Sequence, residues 1–150
     1  MAPIPSFIQI MNLERAIEIA QEAHKGVKDK GGHDYINHPI RVMHAMSNDQ
    51  EKIVAILHDV VEDSDWTFER LKEEGFEDSV IESLRCVTKY SEEEDYQEFI
   101  RRAATNKIAT KVKMADIEDN LDLSRLGTLT EKDLTRIKKY KKALKYLKAL

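Results

Sequence analysis

A chain of 150 residues suits a single domain, and its 41% hydrophobic and 35% charged residues give it a core's worth of apolar side chains without the polarity bias of a disordered chain. The net charge of -4 argues against a general nucleic-acid binder, which is ordinarily basic. No apolar run approaches the ~20 residues of a membrane span.

The hydrophobic period is helical from one end to the other. Leu13, Ala16, Ile17, Ala20, Ala23 and Val27 share one face of a first helix, which Gly26 and the Gly31-Gly32 pair end. Pro39 opens a second helix, since proline is tolerated in a first turn, and His38 before it is expected to be extended. A third helix, from about Gln50 to Val61, is apolar nearly all round and is predicted to be central and buried. Thr67 as N-cap and Gly75 as terminator bound a short helix, and another covers about Asp78 to Lys89. Ser91 with Glu94 reads as a capping box for a helix that buries Tyr96, Phe99, Ile100 and Ala103. A long helix follows from about Lys107 to Leu123. The last runs from Glu131 to the C-terminus, with Leu134, Ile137, Leu144 and Leu147 inward. Without repeats, linkers or period-two segments, the expectation is one compact all-α domain over residues 1–150, with about eight helices.

The N-terminus has neither the basic start nor the apolar stretch of a signal peptide. The lone cysteine, Cys86, cannot close an internal disulfide, so a cytoplasmic location is expected, with Cys86 a small core residue.

The chemistry concentrates where the third helix ends, in AILHDVVED. Four polar residues, His58, Asp59, Glu62 and Asp63, close an otherwise apolar helix. Burying unpaired carboxylates is costly, and a cation would offset the cost. Glu62 lies four residues after His58 and Asp63 four after Asp59, so each pair stacks along one side of a helix. A plain acidic, solvated last turn is the alternative. His38, in DYINHPI, is held at a loop-to-helix junction and is a third ligand candidate. Asp116, in KVKMADIEDNLDLSRL, follows the apolar positions Ile108, Val112 and Ala115 and is the fourth, with Asn120 one turn later on the same side. Two histidines and two aspartates suit Mn, Fe, Co or Zn and leave positions open for water and substrate. The absence of cysteine ligands argues against a structural zinc. A metal there would activate water and clamp a phosphoryl oxygen.

These motifs resemble the HD-domain phosphohydrolases, which carry a His, an adjacent His-Asp and a distant Asp as metal ligands. The run AHKG, DYINHPIRV, LHDVVEDS and VKMADIEDNLDLSRL is similar, over about Leu13 to Leu126, to the hydrolase domain of the RelA/SpoT-type alarmone enzymes. That resemblance implies a helical HD bundle and manganese-dependent removal of pyrophosphate from the ribose 3′ position of (p)ppGpp. It implies metal ligation by His38, His58, Asp59 and Asp116, and positioning or activation of water by Glu62 and Asp63. It also implies substrate contacts from Asn120 and from a lysine of the Lys28–Lys30 segment.

The chain departs from the family pattern in three places. Asp29 stands near the position of a guanine-contacting arginine, and lysine lacks a guanidinium's flat stacking surface. Asp34 replaces a proline, and Ile117, Glu118 and Asp119 make the stretch after Asp116 acidic. Another nucleotide or phosphometabolite, for example a 2′-phosphorylated dinucleotide, is therefore the alternative substrate. A non-catalytic nucleotide-binding module is the alternative class. Residues 131–150 carry eight Lys/Arg against two acids. They are read first as a solvated outer face, with a phosphate-attracting rim, a membrane-surface helix or a subunit interface as other readings. The partner expected is a small nucleotide, with no nucleic acid and no membrane, and a homo-oligomer is left open. Of the other histidines, His24 reads as structural, His33 as a loop residue and His44 as facing a neighbouring helix. Trp66 reads as core.

Overall fold

At the centre of the computed structural model lies α3 (Asp49–Leu57), the helix whose sequence is apolar nearly all round. The structure describes residues 5–123 and 127–150, so the three residues that close the last motif, 124–126, lie outside the described residues. Among the described residues there are nine α-helices and no strand. Besides α3 they are α1 (Pro5–Ala23), α2 (Asn37–His44), α4 (Val60–Asp63), α5 (Phe68–Glu73), α6 (Asp78–Cys86), α7 (Tyr96–Ala103), α8 (Lys107–Asn120) and α9 (Glu131–Lys148). The expected third helix is α3 and α4 together, broken at His58-Asp59. That break accounts for nine helices where about eight were expected.

α1, α2, α6 and α8 all pack against α3. Ile53, Val54, Ala55, Ile56 and Leu57 meet Ala16, Ile19 and Ala20 of α1, Val42 of α2, Leu84 of α6 and Val112 of α8 in one core. Each fully buried Val, Leu or Ile side chain there contributes about 1.5–3 kcal/mol. A second, smaller cluster fastens α9. It joins Ile100 of α7, Ile117 of α8, and Ala143 and Leu147 of α9. Several helix starts are capped by side chains. Asn48 accepts from the Glu51 amide, Thr67 from Arg70 and Asn106 from Ala109, and Thr130 with Asp133 forms a complete capping box on α9.

Several expectations are corrected. α2 begins at Asn37, so His38 is helical and not extended. The Asn37 and His38 amides already turn onto the carbonyls of Asp34 and Tyr35, and Pro39 falls in the first turn, where no N–H is needed. α7 begins at Tyr96 under the N-cap Asp95, because the Glu94 carboxylate is taken by Arg102 and by the Tyr90 amide and closes no box with Ser91. α6 ends at Cys86, short of Lys89, and the Thr88 hydroxyl donates to the Leu84 carbonyl just beyond. Leu134 is exposed, because the first turns of α9 reach past the small cluster. Val27 lies beyond α1 and is exposed, as is His44.

The loop after α1 folds back on itself. Tyr35 N–H donates to the Val27 carbonyl, and Lys28 and Asp34 form an isolated antiparallel bridge. Asp29 Oδ1 accepts from the amides of Gly31 and His33, both at 2.9 Å. Gly32 supplies the left-handed turn, with φ of +83°, a region that costs glycine little. Lys30 then reaches across to Asp133 at 3.0 Å and ties this loop to the start of α9.

Candidate active site

The break between α3 and α4 is what aims the His-Asp pair. His58 closes α3, and its Nδ1 lies 2.6 Å from the carbonyl of Ala55, three residues back. A carbonyl only accepts, so Nδ1 carries a proton and Nε2 is the nitrogen left to face the site. That Nε2 is buried, has no hydrogen-bond partner among the described residues, and lies 3.2 Å from Asp59 Oδ2 and 3.4 Å from Asp116 Oδ1. His38 comes from α2 and sets its Nε2 2.8 Å from the same Asp116 oxygen. Donor atoms of His38, His58 and Asp59 all lie within 4.8 Å of one another. All four expected ligands thus converge, from α2, the α3–α4 break and α8.

Against the cost of burial, Asp59 and Asp116 draw a second proton onto the His58 ring and hold it well above its usual range, and a divalent cation would take that proton's place. Two imidazole nitrogens and two carboxylates fit such an ion. The protonation pattern reports the same crowding. Burial opposes charge on His38, yet hydrogen bonds to Asp116 and Asp119 outweigh it and push the ring up to about 9. Burial likewise works against ionised Asp59, but the neighbouring His58 brings it down to about 2.

Each converging side chain is gripped from behind. Tyr35 donates its hydroxyl to Asp59 Oδ2. Lys113, three residues before Asp116 on α8, donates to Asp116 Oδ2 at 2.9 Å, and its ammonium lies 4.7 Å from the Phe99 ring centre. Burial disfavours that charge, but the Asp116 carboxylate more than restores it. Asn120 donates to Asp116 Oδ1 at 3.2 Å. His38 Nδ1 meets Asp119 Oδ2 at 2.6 Å, and Arg41 holds Asp119 with two bonds of 2.7 and 3.1 Å.

Beside this cluster opens a cavity of about 620 Å³. Lys28, Lys30, Asp63 and Asn120 line it, as expected of substrate-facing residues, and His38 forms part of its floor. Lys28 is paired with Asp34, and Lys30 with Asp133. Asp63 is drawn toward the protonated state, to about 6, by loss of solvent and by the charge of Asp59. Glu62 turns elsewhere: its carboxylate accepts from the Lys89 amide at 2.6 Å and lies outside the cavity lining. Loss of solvent raises Glu62 as well.

Tyr35, Arg41, Lys113, Arg136 and Tyr140 were not singled out from the sequence. Arg136 and Tyr140, four residues apart on α9, wall the cavity, so the basic helix is more than a solvated face. Its lysines 138, 141, 142 and 145 are exposed as expected. The spacing of Lys113 before Asp116, and of Arg41 after His38, is i,i+3 and was the available signal. Of the remaining candidates, His33 is exposed in its loop, while Trp66 and Cys86 are buried in the core. His24 is buried against the Tyr35 ring, with both ring nitrogens unpartnered among the described residues.

No family model matches the chain. It is 36% identical over 120 residues to the guanosine-3′,5′-bis(diphosphate) 3′-pyrophosphohydrolase of Aquifex aeolicus, covering 73% of this chain and 17% of that protein. The enzyme of the same name from Haemophilus influenzae is 33% identical over 81% of this chain and 20% of its own length. The bifunctional (p)ppGpp synthase/hydrolase SpoT of Escherichia coli is 30% identical over 86% of this chain and 20% of its own length. The chain therefore spans about a fifth of the curated relatives it matches. Among solved structures, a metazoan ortholog of SpoT, described as hydrolysing ppGpp and acting in starvation responses, superposes with a TM-score of 0.73. That pair is 26% identical, over 91% of this chain and 84% of the other. Helix content, converging ligands and relatives agree, and the chain belongs to the RelA/SpoT-type hydrolase domains.

Proposed function

We propose that this domain is a manganese-dependent hydrolase that removes pyrophosphate from the ribose 3′ position of (p)ppGpp or a closely related nucleotide. The observation that carries this reading is the buried convergence of His58 Nε2 with His38, Asp59 and Asp116 beside a cavity of nucleotide size. His38, His58, Asp59 and Asp116 would hold the ion. When bound, it supplies Lewis acidity, easing deprotonation of water and offsetting phosphoryl charge.

The chain's own residues do the rest. Asp63, whose carboxylate has no hydrogen bond among the described residues and is raised to about 6, accepts a proton from the attacking water. Glu62, anchored on the Lys89 amide outside the cavity lining, leaves the orienting of that water to Asp63. The water oxygen bonds to the phosphorus attached to the ribose 3′ oxygen, the bond to that 3′ oxygen breaks, the 3′ oxygen takes up the proton held by Asp63, and pyrophosphate is released. Asn120, Lys28 and Lys30 border the substrate, and Arg136 adds a guanidinium with no carboxylate partner among the described residues.

The test is release of pyrophosphate from ppGpp by the Mn-loaded protein, run beside a panel of other phosphoesters. Pyrophosphate release from ppGpp well above every other substrate supports the proposal, and no release sinks it. One observation favours a second substrate class, a nucleotide with fewer phosphates. Lys28 and Lys30 are already paired with Asp34 and Asp133, so the cavity offers less free positive charge than its lysine count implies. Preferential turnover of such a nucleotide in the same panel would establish it.

No helix among the described residues is long and apolar enough to cross a membrane. The single, buried thiol of Cys86 suits a reducing, cytoplasmic setting.

A further inference from the structure

The acid at position 119 does not face the cavity as a bare negative rim. It faces His38. Asp119 Oδ2 lies 2.6 Å from His38 Nδ1, while the other ring nitrogen, Nε2, points at Asp116 and the ligand cluster. The side chains of His38 and Asp119 are 7% and 13% exposed, so the bond is largely sheltered from water. Arg41, one turn after His38 on α2, grips both oxygens of Asp119 at 2.7 and 3.1 Å. Three side chains from two helices thus form one line, Arg41 to Asp119 to His38, that ends at the ligand set. Burial works against an ionised Asp119, but His38 and Arg41 outweigh it and keep the carboxylate charged.

We propose that Asp119, braced by Arg41, is a positioning residue for the metal ligand His38. It fixes the tautomer that carries the proton on Nδ1, locks the ring plane, and makes Nε2 a better donor to a divalent ion. A carboxylate behind a ligating imidazole does this in metal sites generally, and its loss typically weakens metal affinity 10–100-fold. His58 achieves the same end with a backbone carbonyl. The two histidines are therefore oriented by different devices, and the one on His38 responds to substitution of a side chain.

The inference rests on the reading of His38 as a metal ligand, and the experiment separates the two. Mn2+ alone is titrated into the intact protein, with affinity read by equilibrium dialysis and folding by circular dichroism and melting temperature. D119N is expected to bind Mn2+ about 10–100-fold more weakly than wild type while keeping the wild-type melt. R41Q, at a side chain more than a third exposed, is expected to lose severalfold. In the D119N background, R41Q is expected to add nothing, since Arg41 acts only through Asp119. Either single variant, folded and binding Mn2+ as wild type does, overturns the proposal. If D119N does not fold, R41Q decides alone. Normal binding by H38A would instead overturn the ligand reading. Loss in H38A with normal binding in D119N would overturn this inference only.

Discussion

The Nδ1 proton of His58 rests on the carbonyl of Ala55, 2.6 Å away in the same helix. That bond fixes the ring plane and turns its other nitrogen, buried, toward two carboxylates. An imidazole so placed would need no rearrangement to serve as an ion donor.

H58A is therefore expected to lose Mn2+ binding altogether, with helix content unchanged. Elemental analysis of the purified variant beside wild type checks it. A wild-type metal content in H58A would remove His58 from the ligand set.

Asp63 gives a pH dependence with a defined sign. Its folded value, about 6, lies above its ordinary value of 3.8. The folded state therefore favours the protonated form, and the stability this contributes is lost as pH rises through about 6. D63N should raise the melting temperature of the metal-free protein at pH 8 and leave it nearly unchanged at pH 4. The same substitution should lower kcat by at least about 10²-fold, as removal of a general base does. Wild-type kcat should climb with pH through about 6. A melt that D63N lowers at pH 8 would contradict the assignment.

Lys113 and Asp116 form a sheltered pair, 11% and 9% exposed. Removing one partner of a buried pair strands the other charge and costs about 3–5 kcal/mol. K113M is expected to lose roughly 3 kcal/mol in urea denaturation of the metal-free protein. Saturating Mn2+ should recover part of that loss, because the ion takes over the compensation of Asp116. A loss that Mn2+ leaves untouched would place the role of Lys113 outside the metal cluster.

Arg136, on α9, lines the cavity. R136A should raise KM for a phosphorylated nucleotide about tenfold, the weight of one charge-assisted contact of about 1.4 kcal/mol. Its Mn2+ affinity should match wild type. Steady-state kinetics with a parallel metal titration check both halves, and a fall in kcat at constant KM would argue against a binding role.

Much of this was legible in the chain. The central helix announced itself because Ile53 through Leu57 leave no polar face, and the ligands stood out because His58 and Asp59 are polar where the pattern demands apolar residues. What stayed hidden were pairings across elements. Lys30 with Asp133, and His38 with Asp119, lie 103 and 81 residues apart, and local periodicity carries no information at that range. The break after Leu57 was hidden for another reason. No glycine or proline marks the break, and His58, Asp59 and the two valines after them disfavour a helix only weakly. The capping box assigned to Ser91 and Glu94 failed on competition, since Arg102 claims the glutamate. Asp119 looked unfavourable as a rim charge because its direction, inward onto His38, is set by the crossing of α2 and α8.

The separation of 78 residues between His38 and Asp116 has a thermodynamic consequence. An unfolded chain holds no preformed site, so the binding energy of the ion accrues to the native state alone. At a free-ion concentration of 100 times Kd this is about 2.7 kcal/mol, a large share of what a domain of this size has in reserve. The bond joins the second helix to the eighth, so the cluster can close only once the helices between them have docked. Ion uptake during refolding should therefore trail the recovery of helicity, and a chelator should lower the melting point even where no substrate is present.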